Sequence, residues 1–309
     1  MPLRENDMDS IRVGIFKKRE YIEEYNALKN ILKKKRIKAE SIFFRMPDNA
    51  GNIAKTISEV LINDYADIFL IDCTRLFKDD GVEEIFEKDN ISIAGILKRR
   101  PAGKALVTYG KAKSNIAGAR IVTDDATSVG QIISMYDGID CTYEGSLKKC
   151  LSELKDKEKD AVITDLYKIK NVIKLRKAEY KGIKIYPYES DRFIPLPGKG
   201  VIMAAALSGS EAEKAVKIST DMNTLQCFLI EQEIVKRISD TAKESNYILN
   251  VHAIKQKDKI TIYVYIQKNK GMDYKDDMNY YRIIMKTDTK EIKQTIRNII
   301  KNIEEKMFI

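Results

Sequence analysis

Tryptophan is absent, histidine occurs once and cysteine four times among 309 residues. With His252 alone, neither a Ser/His/Asp triad nor a histidine-rich metal centre is expected. His252 falls in the alternating run 247–254 and reads as a strand residue rather than a base or ligand. None of Cys73, Cys141, Cys150 and Cys227 forms a C-x-x-C pair, so zinc and dithiol motifs drop out and buried free thiols are expected. No apolar run approaches the roughly 18 residues that a membrane-spanning helix requires. The polar first ten residues lack the apolar centre of a signal peptide, and a cytoplasmic location is expected. No basic stripe interleaved with aromatics is present, so nucleic acid is not an expected partner.

What the chain does carry is charge. Lys and Arg number 55 against 46 Asp and Glu, a net of +9, within 33% charged and 44% hydrophobic residues. The plain reading is lysine spread over solvated helix faces; the sharper one is a basic cleft for a polyanionic ligand. The length suggests two or three domains.

The pattern divides at Phe193-Ile194-Pro195-Leu196-Pro197-Gly198-Lys199-Gly200, followed by the small apolar run 201–207. Two prolines and two glycines so close together specify a built turn. Before it, short apolar strands alternate with segments of helical period: strands at 11–16, 39–45, 66–71 and 91–97, helices at 19–35 and 52–63, and a short helix around 82–86 in a charged, irregular stretch. The same style continues with strands at 105–109, 119–123, 139–143, 160–164 and 183–187 and helices at 125–136 and 147–156. This is the signature of parallel sheets covered by helices. Lobes are expected at 1–98 with 200–221 and at 103–196, the run after the turn adding a strand back to the first. Such sheets take ligands beyond their carboxyl strand ends, which here would line a cleft. From 224 to 309 a long helix, three alternating strands (247–254, 259–267, 279–286) and a closing helix (290–306) read as a small α+β domain.

Four strings resemble porphobilinogen deaminase (hydroxymethylbilane synthase). They are Gly51-Asn52-Ile53-Ala54-Lys55 through Ala66-Asp67-Ile68; Ile93-Ala94-Gly95-Ile96-Leu97-Lys98-Arg99 through Ala105-Leu106-Val107; Gly118-Ala119-Arg120-Ile121-Val122-Thr123; and Asp160-Ala161-Val162-Ile163 through Pro195-Leu196-Pro197-Gly198-Lys199-Gly200. The resemblance spans roughly residues 11–254 in the family's order. It implies an α/β fold of two doubly wound lobes, periplasmic-binding-protein-like, around a cleft, plus a small α+β C-terminal domain. It also implies a transferase of tetrapyrrole (heme) biosynthesis.

The chemistry of that family is largely replaced. Its paired arginines fall on Thr127 and Ser128, others on Glu144, Cys150 and Phe16. Its catalytic aspartate falls on Asp79 if Leu76-Phe77-Lys78-Asp79 takes that motif. The cysteine that carries the covalent dipyrromethane cofactor falls on Ala242, which cannot form a thioether, so no covalent cofactor is expected. Lys55, Lys78, Thr123, Lys148 and Lys149 remain as candidate binding residues. The leading expectation is a porphobilinogen deaminase-like protein, impaired or inactive, monomeric, binding a small anionic or tetrapyrrole-like ligand, with no nucleic-acid or membrane partner. Two alternatives stand beside it: an active hydroxymethylbilane synthase with a relocated site, and a non-enzymatic small-anion binding module.

Overall fold

In the computed structural model the described residues are 10–17, 19–47, 51–75, 82–110, 116–136, 138–241, 247–268 and 280–308. The chain opens with β1 (Ser10–Phe16), α1 (Arg19–Lys34), β2 (Lys38–Phe44), α2 (Gly51–Ile62), β3 (Ile68–Asp72), α3 (Val82–Lys88) and β4 (Ile91–Ile96). It continues through β5 (Lys104–Tyr109), β6 (Arg120–Thr123), α4 (Val129–Met135), β7 (Asp140–Tyr143), α5 (Leu147–Lys155), β8 (Ala161–Asp165), α6 (Leu166–Leu175) and β9 (Ile183–Pro187). It ends with β10 (Ile202–Leu207), α7 (Glu211–Lys217), α8 (Met222–Thr241), β11 (Tyr247–Gln256), β12 (Lys259–Lys268), β13 (Tyr280–Asp288) and α9 (Ile292–Met307). The helices α6 and α7 lie outside the elements expected from sequence, although Leu166, Ile169, Val172 and Ile173 of α6 recur at helical spacing and pack inward; α7 is seven residues long.

Two compact units result: Met1–Arg100 with Pro197–Gln232, and Pro101–Leu196 with Glu233–Ile309. The first is built on a sheet of order β2-β1-β3-β10-β4, the second on a sheet of order β7-β6-β8-β5-β9. The two follow one plan. In the first, β1 pairs parallel with β2 and β3, while β10 runs antiparallel to β3 and β4. In the second, β6 pairs parallel with β7 and β8, while β5 runs antiparallel to β8 and β9. Each unit thus receives its antiparallel strand from the segment that has just arrived from the other. The expected two-lobed, doubly wound α/β class is present, and the run after the proline-glycine turn does return to the first sheet.

The small residues of β10 make this return fit. Ala204, Ala205 and Ala206 are fully buried between β3 and β4, with α2 and α7 packed on the strand. A strand covered on both faces reads as continuously apolar. The turn that delivers it depends on Gly200, whose φ is +77° and whose Cα faces the Arg100 carbonyl so closely that a Cβ would lie 2.6 Å from that oxygen. Arg100 N–H donates to Gly200 O at 2.9 Å, closing the two crossings on each other. The buried Glu231 on α8 seals the corner. It accepts both guanidinium arms of Arg99 (2.7 and 2.8 Å) and the Gly198 N–H (2.8 Å), while Arg99 Nε donates to Lys199 O (3.0 Å).

The antiparallel sheet β11-β12-β13, backed by α9, belongs to the second unit. A buried amide network ties it there. The Gln131 side chain bonds both backbone groups of Ile194 (2.8 and 2.9 Å), and Asn250 Nδ2 donates to the same Ile194 carbonyl (3.0 Å). Gln267 lies where a side chain on Gly130 would stand, and it accepts the Tyr265 hydroxyl at 2.8 Å. His252 is a buried strand residue stacked on Tyr263, as its place in an alternating run implies.

Candidate functional site

The carboxyl ends of parallel strands are where open α/β sheets present ligand-binding groups. In the second unit these ends carry five charged side chains. The strand β6 ends at the buried Thr123 and is followed by Asp124 and Asp125. The strand β8 ends at Asp165, and α6 starts at the next residue and brings Lys168 round one turn later. Antiparallel β5 begins at this same end, its Lys104 standing opposite Asp165 in register.

Lys104 is the hub. Its ammonium lies 2.7 Å from Asp125 and 2.7 Å from Asp165. Burial alone would push its pKa down, but the two carboxylates outweigh that and hold it above the ordinary lysine value. Asp125 is affected in the opposite sense: burial pushes it up, Lys104 and the Thr127 donors pull it down further, and its carboxyl sits well below the usual range. Asp125 Oδ1 accepts Thr127 N–H (3.1 Å) and Thr127 Oγ1 (2.7 Å), and Oδ2 accepts Ser128 Oγ (2.9 Å). Asp124 is held by Thr164 Oγ1 (2.7 Å) and by Lys168 Nζ (3.0 Å), and Lys168 lies 3.7 Å from Asp165. Three carboxylates face two ammonium groups, one negative charge in excess. The members that reach solvent are Lys168, its side chain 40% exposed, and Asp125, at 22%.

The first unit repeats one part of this device. Asp72 at the end of β3 accepts the N–H and hydroxyl of Thr74 (2.9 and 2.6 Å), the same Asp-x-Thr turn that Asp125 makes with Thr127. There the neighbouring thiol, Cys73, is fully buried, and burial together with Asp72 pushes its pKa well above the ordinary value. Burial likewise pushes Cys141 and Cys150 up to about 12. Protonated thiols are poor nucleophiles. Lys104, kept as an ammonium, cannot act as a base or form a Schiff base.

The residues expected from sequence are divided between the units, Lys55 in the first and Thr123, Lys148 and Lys149 in the second, and Lys78, Asp79 and Ala242 lie outside the described residues. Lys55 is exposed on α2. Lys148 and Lys149 are exposed in the first turn of α5, where Lys149 pairs with Glu144 at 2.7 Å. Thr123 lies fully buried beneath the cluster, its hydroxyl accepting the Asp125 N–H at 3.2 Å, while its carbonyl accepts the Glu144 N–H at 2.9 Å. Sequence reasoning missed Lys104, Asp125, Asp165 and Lys168. The signal for them is acidic residues placed just after strands 119–123 and 160–164, with a lysine three residues beyond the second.

Among the described residues no group of three His, Cys, Asp or Glu side chains is arranged to hold a metal ion. No helix among them is long and apolar enough to cross a membrane.

No protein-family model matches the chain, and no curated protein matches it. Solved structures similar to it include the L-cystine solute receptor of Neisseria gonorrhoeae, at 14% identity over 77% of this chain and 92% of that one, with a TM-score of 0.44. The periplasmic VFT2 domain of Bordetella pertussis BvgS is 11% identical over 75% of this chain and 94% of that one, TM-score 0.39. An ancestral arginine-binding protein bound to arginine is 17% identical over 75% and 97%, TM-score 0.35. These likenesses are remote and fix neither ligand nor mechanism. The family expected from the sequence strings is corrected: no family model matches, that of porphobilinogen deaminase included, and the similar structures include a solute receptor and an arginine-binding protein, so membership, the heme-biosynthesis role and the hydroxymethylbilane synthase activity are set aside. The physical reason lies in what the strings encode. Gly118–Thr123 is a turn and β6, Asp160–Ile163 opens β8, and Pro195–Gly200 is the corner that delivers β10. Turns, strand starts and a corner constrain residue types for backbone reasons, without regard to the chemistry a chain performs.

Proposed function

We propose that this chain is a non-enzymatic binding module for a small zwitterionic ligand, one carrying both a carboxylate and an amino group. The constellation at the carboxyl ends of β6 and β8 is the observation that supports it. A buried Lys104 is spent on neutralising Asp125 and Asp165, leaving the half-exposed Lys168 ammonium and the partly exposed Asp125 carboxylate as the groups a ligand meets. A ligand carboxylate matches the first, and its amino group matches the second and the excess negative charge. The protonated state of Lys104 and of the thiols of Cys73, Cys141 and Cys150 favours binding over covalent chemistry.

Thermal-shift titration with free amino acids, simple carboxylates and simple amines tests the reading. Amino acids should raise the melting temperature, while carboxylates and amines alone should do less. Lys168→Gln should remove most of that rise. A chain stabilised only by simple anions, or a Lys168→Gln variant with an undiminished response, would refute it.

A further inference from the structure

The opposite end of the second unit's sheet from the charged cluster has its own character. Residues 170–184, which run from α6 toward that end, contain six Lys or Arg and one acid, Glu179, a net of 6 − 1 = +5. Arg176 is paired with Glu179 at 3.3 Å. Lys170 and Lys174, one helical turn apart on α6, and Lys177 and Lys181 in the turn that follows are exposed. Tyr180, buried in the core beneath α5 and α6, anchors that turn between the last two. Amid these lysines Leu175 is 64% exposed. Tyr109, at the far end of β5 from Lys104, is 49% exposed, its ring packed against Gly182, which accepts the Gly110 N–H at 3.0 Å.

We propose that this face, formed by Lys170, Lys174, Leu175, Lys177, Lys181 and Tyr109, docks on an anionic lipid surface. Lysines alone would suit any polyanion. An apolar side chain presented among them, with a tyrosine at the margin, suits a surface that has both acidic headgroups and an acyl boundary. A nucleic-acid backbone offers Leu175 nothing to enter. The docking leaves the charged cluster at the other end of the same sheet free, and it holds whether or not that cluster takes a ligand.

Co-sedimentation of the purified chain with phosphatidylcholine vesicles, with and without phosphatidylserine, decides the matter. Binding should require phosphatidylserine and fall with salt. Lys174→Gln with Lys177→Gln should weaken it about 25-fold, each lysine near an anionic leaflet being worth roughly fivefold. Leu175→Ser, with all charges kept, should weaken it several-fold. Lys33→Gln with Lys34→Gln removes equal charge from the basic run 29–38 of the first unit and should leave binding within about twofold. Circular dichroism melts of the variants matching the parent would show that folding is intact. The proposal is overturned if vesicles are ignored, if Leu175→Ser binds as the parent does, if both lysine pairs matter equally, or if short duplex DNA is bound instead and Leu175→Ser leaves that binding unchanged.

Discussion

Replacing Lys104 by methionine keeps the stem of the side chain and deletes the charge on which the second unit's strand ends converge. The ammonium sits 2.7 Å from each of two carboxylates, and its side chain is 6% exposed. At an effective dielectric near 20, each such pair gains about 6 kcal/mol. Desolvating an ion costs several kcal/mol, so the net worth of the cluster is small. Removing one partner is another matter, because the desolvation of Asp125 and Asp165 is then left unopposed; breaking a buried pair in this way costs about 3–5 kcal/mol. For a unit of this size each kcal/mol moves the melting temperature about 2–4 °C, so Lys104→Met should lower it by roughly 6–20 °C near neutral pH. The pH dependence has a fixed sign. In the parent, Asp125 is held below its unfolded value, so its contribution is present above about pH 4 and fades in acid. Lys104 is held above its unfolded value, so its contribution is present at neutral pH and is lost only in strong base. In the variant the stranded carboxylates prefer the neutral form, and the deficit shrinks as pH falls from about 7.5 toward 5. Calorimetric melts at both pH values measure this, with Lys38→Met as the contrast. Lys38 pairs with Glu40 at 2.6 Å, a similar distance, but both side chains are exposed, and that variant should melt as the parent does. The reasoning fails if the two substitutions are equally harmless, or if the Lys104→Met deficit is independent of pH.

Other consequences can be checked alongside. Glu231→Gln leaves Arg99 without its anion at the corner of the first unit and should cost about 3–5 kcal/mol in denaturant unfolding. Gly200→Ala puts a methyl against the Arg100 carbonyl at a φ of +77° and should cost about 1–3 kcal/mol by the same measurement, whereas Gly209→Ala, also at positive φ but with open space around it, should cost less. Cys73, Cys141 and Cys150 should resist N-ethylmaleimide in the native chain at neutral pH and react on denaturation, read by intact mass, because burial raises all three thiols.

The sequence alone carried the class of fold because that class is written in local terms. Short apolar strands separated by amphipathic segments declare doubly wound sheets. The paired prolines and glycines at 195–200 declare a corner, and the run Ile202-Met203-Ala204-Ala205-Ala206-Leu207 declares a strand buried on both sides. Those same local requirements explain why strings such as Gly118–Thr123 pointed to a particular family: turns and strand starts constrain residues without regard to chemistry. Only the tertiary structure assembled the site. Lys104 and Asp165 are brought opposite each other by an antiparallel pairing between a strand that has just crossed over and one that closes a parallel run, and Asp124 and Asp125 arrive from a third strand. No periodicity records such a meeting, because the groups are scattered through the chain and their shared property, mutual neutralisation in a buried place, exists only once the sheet has formed.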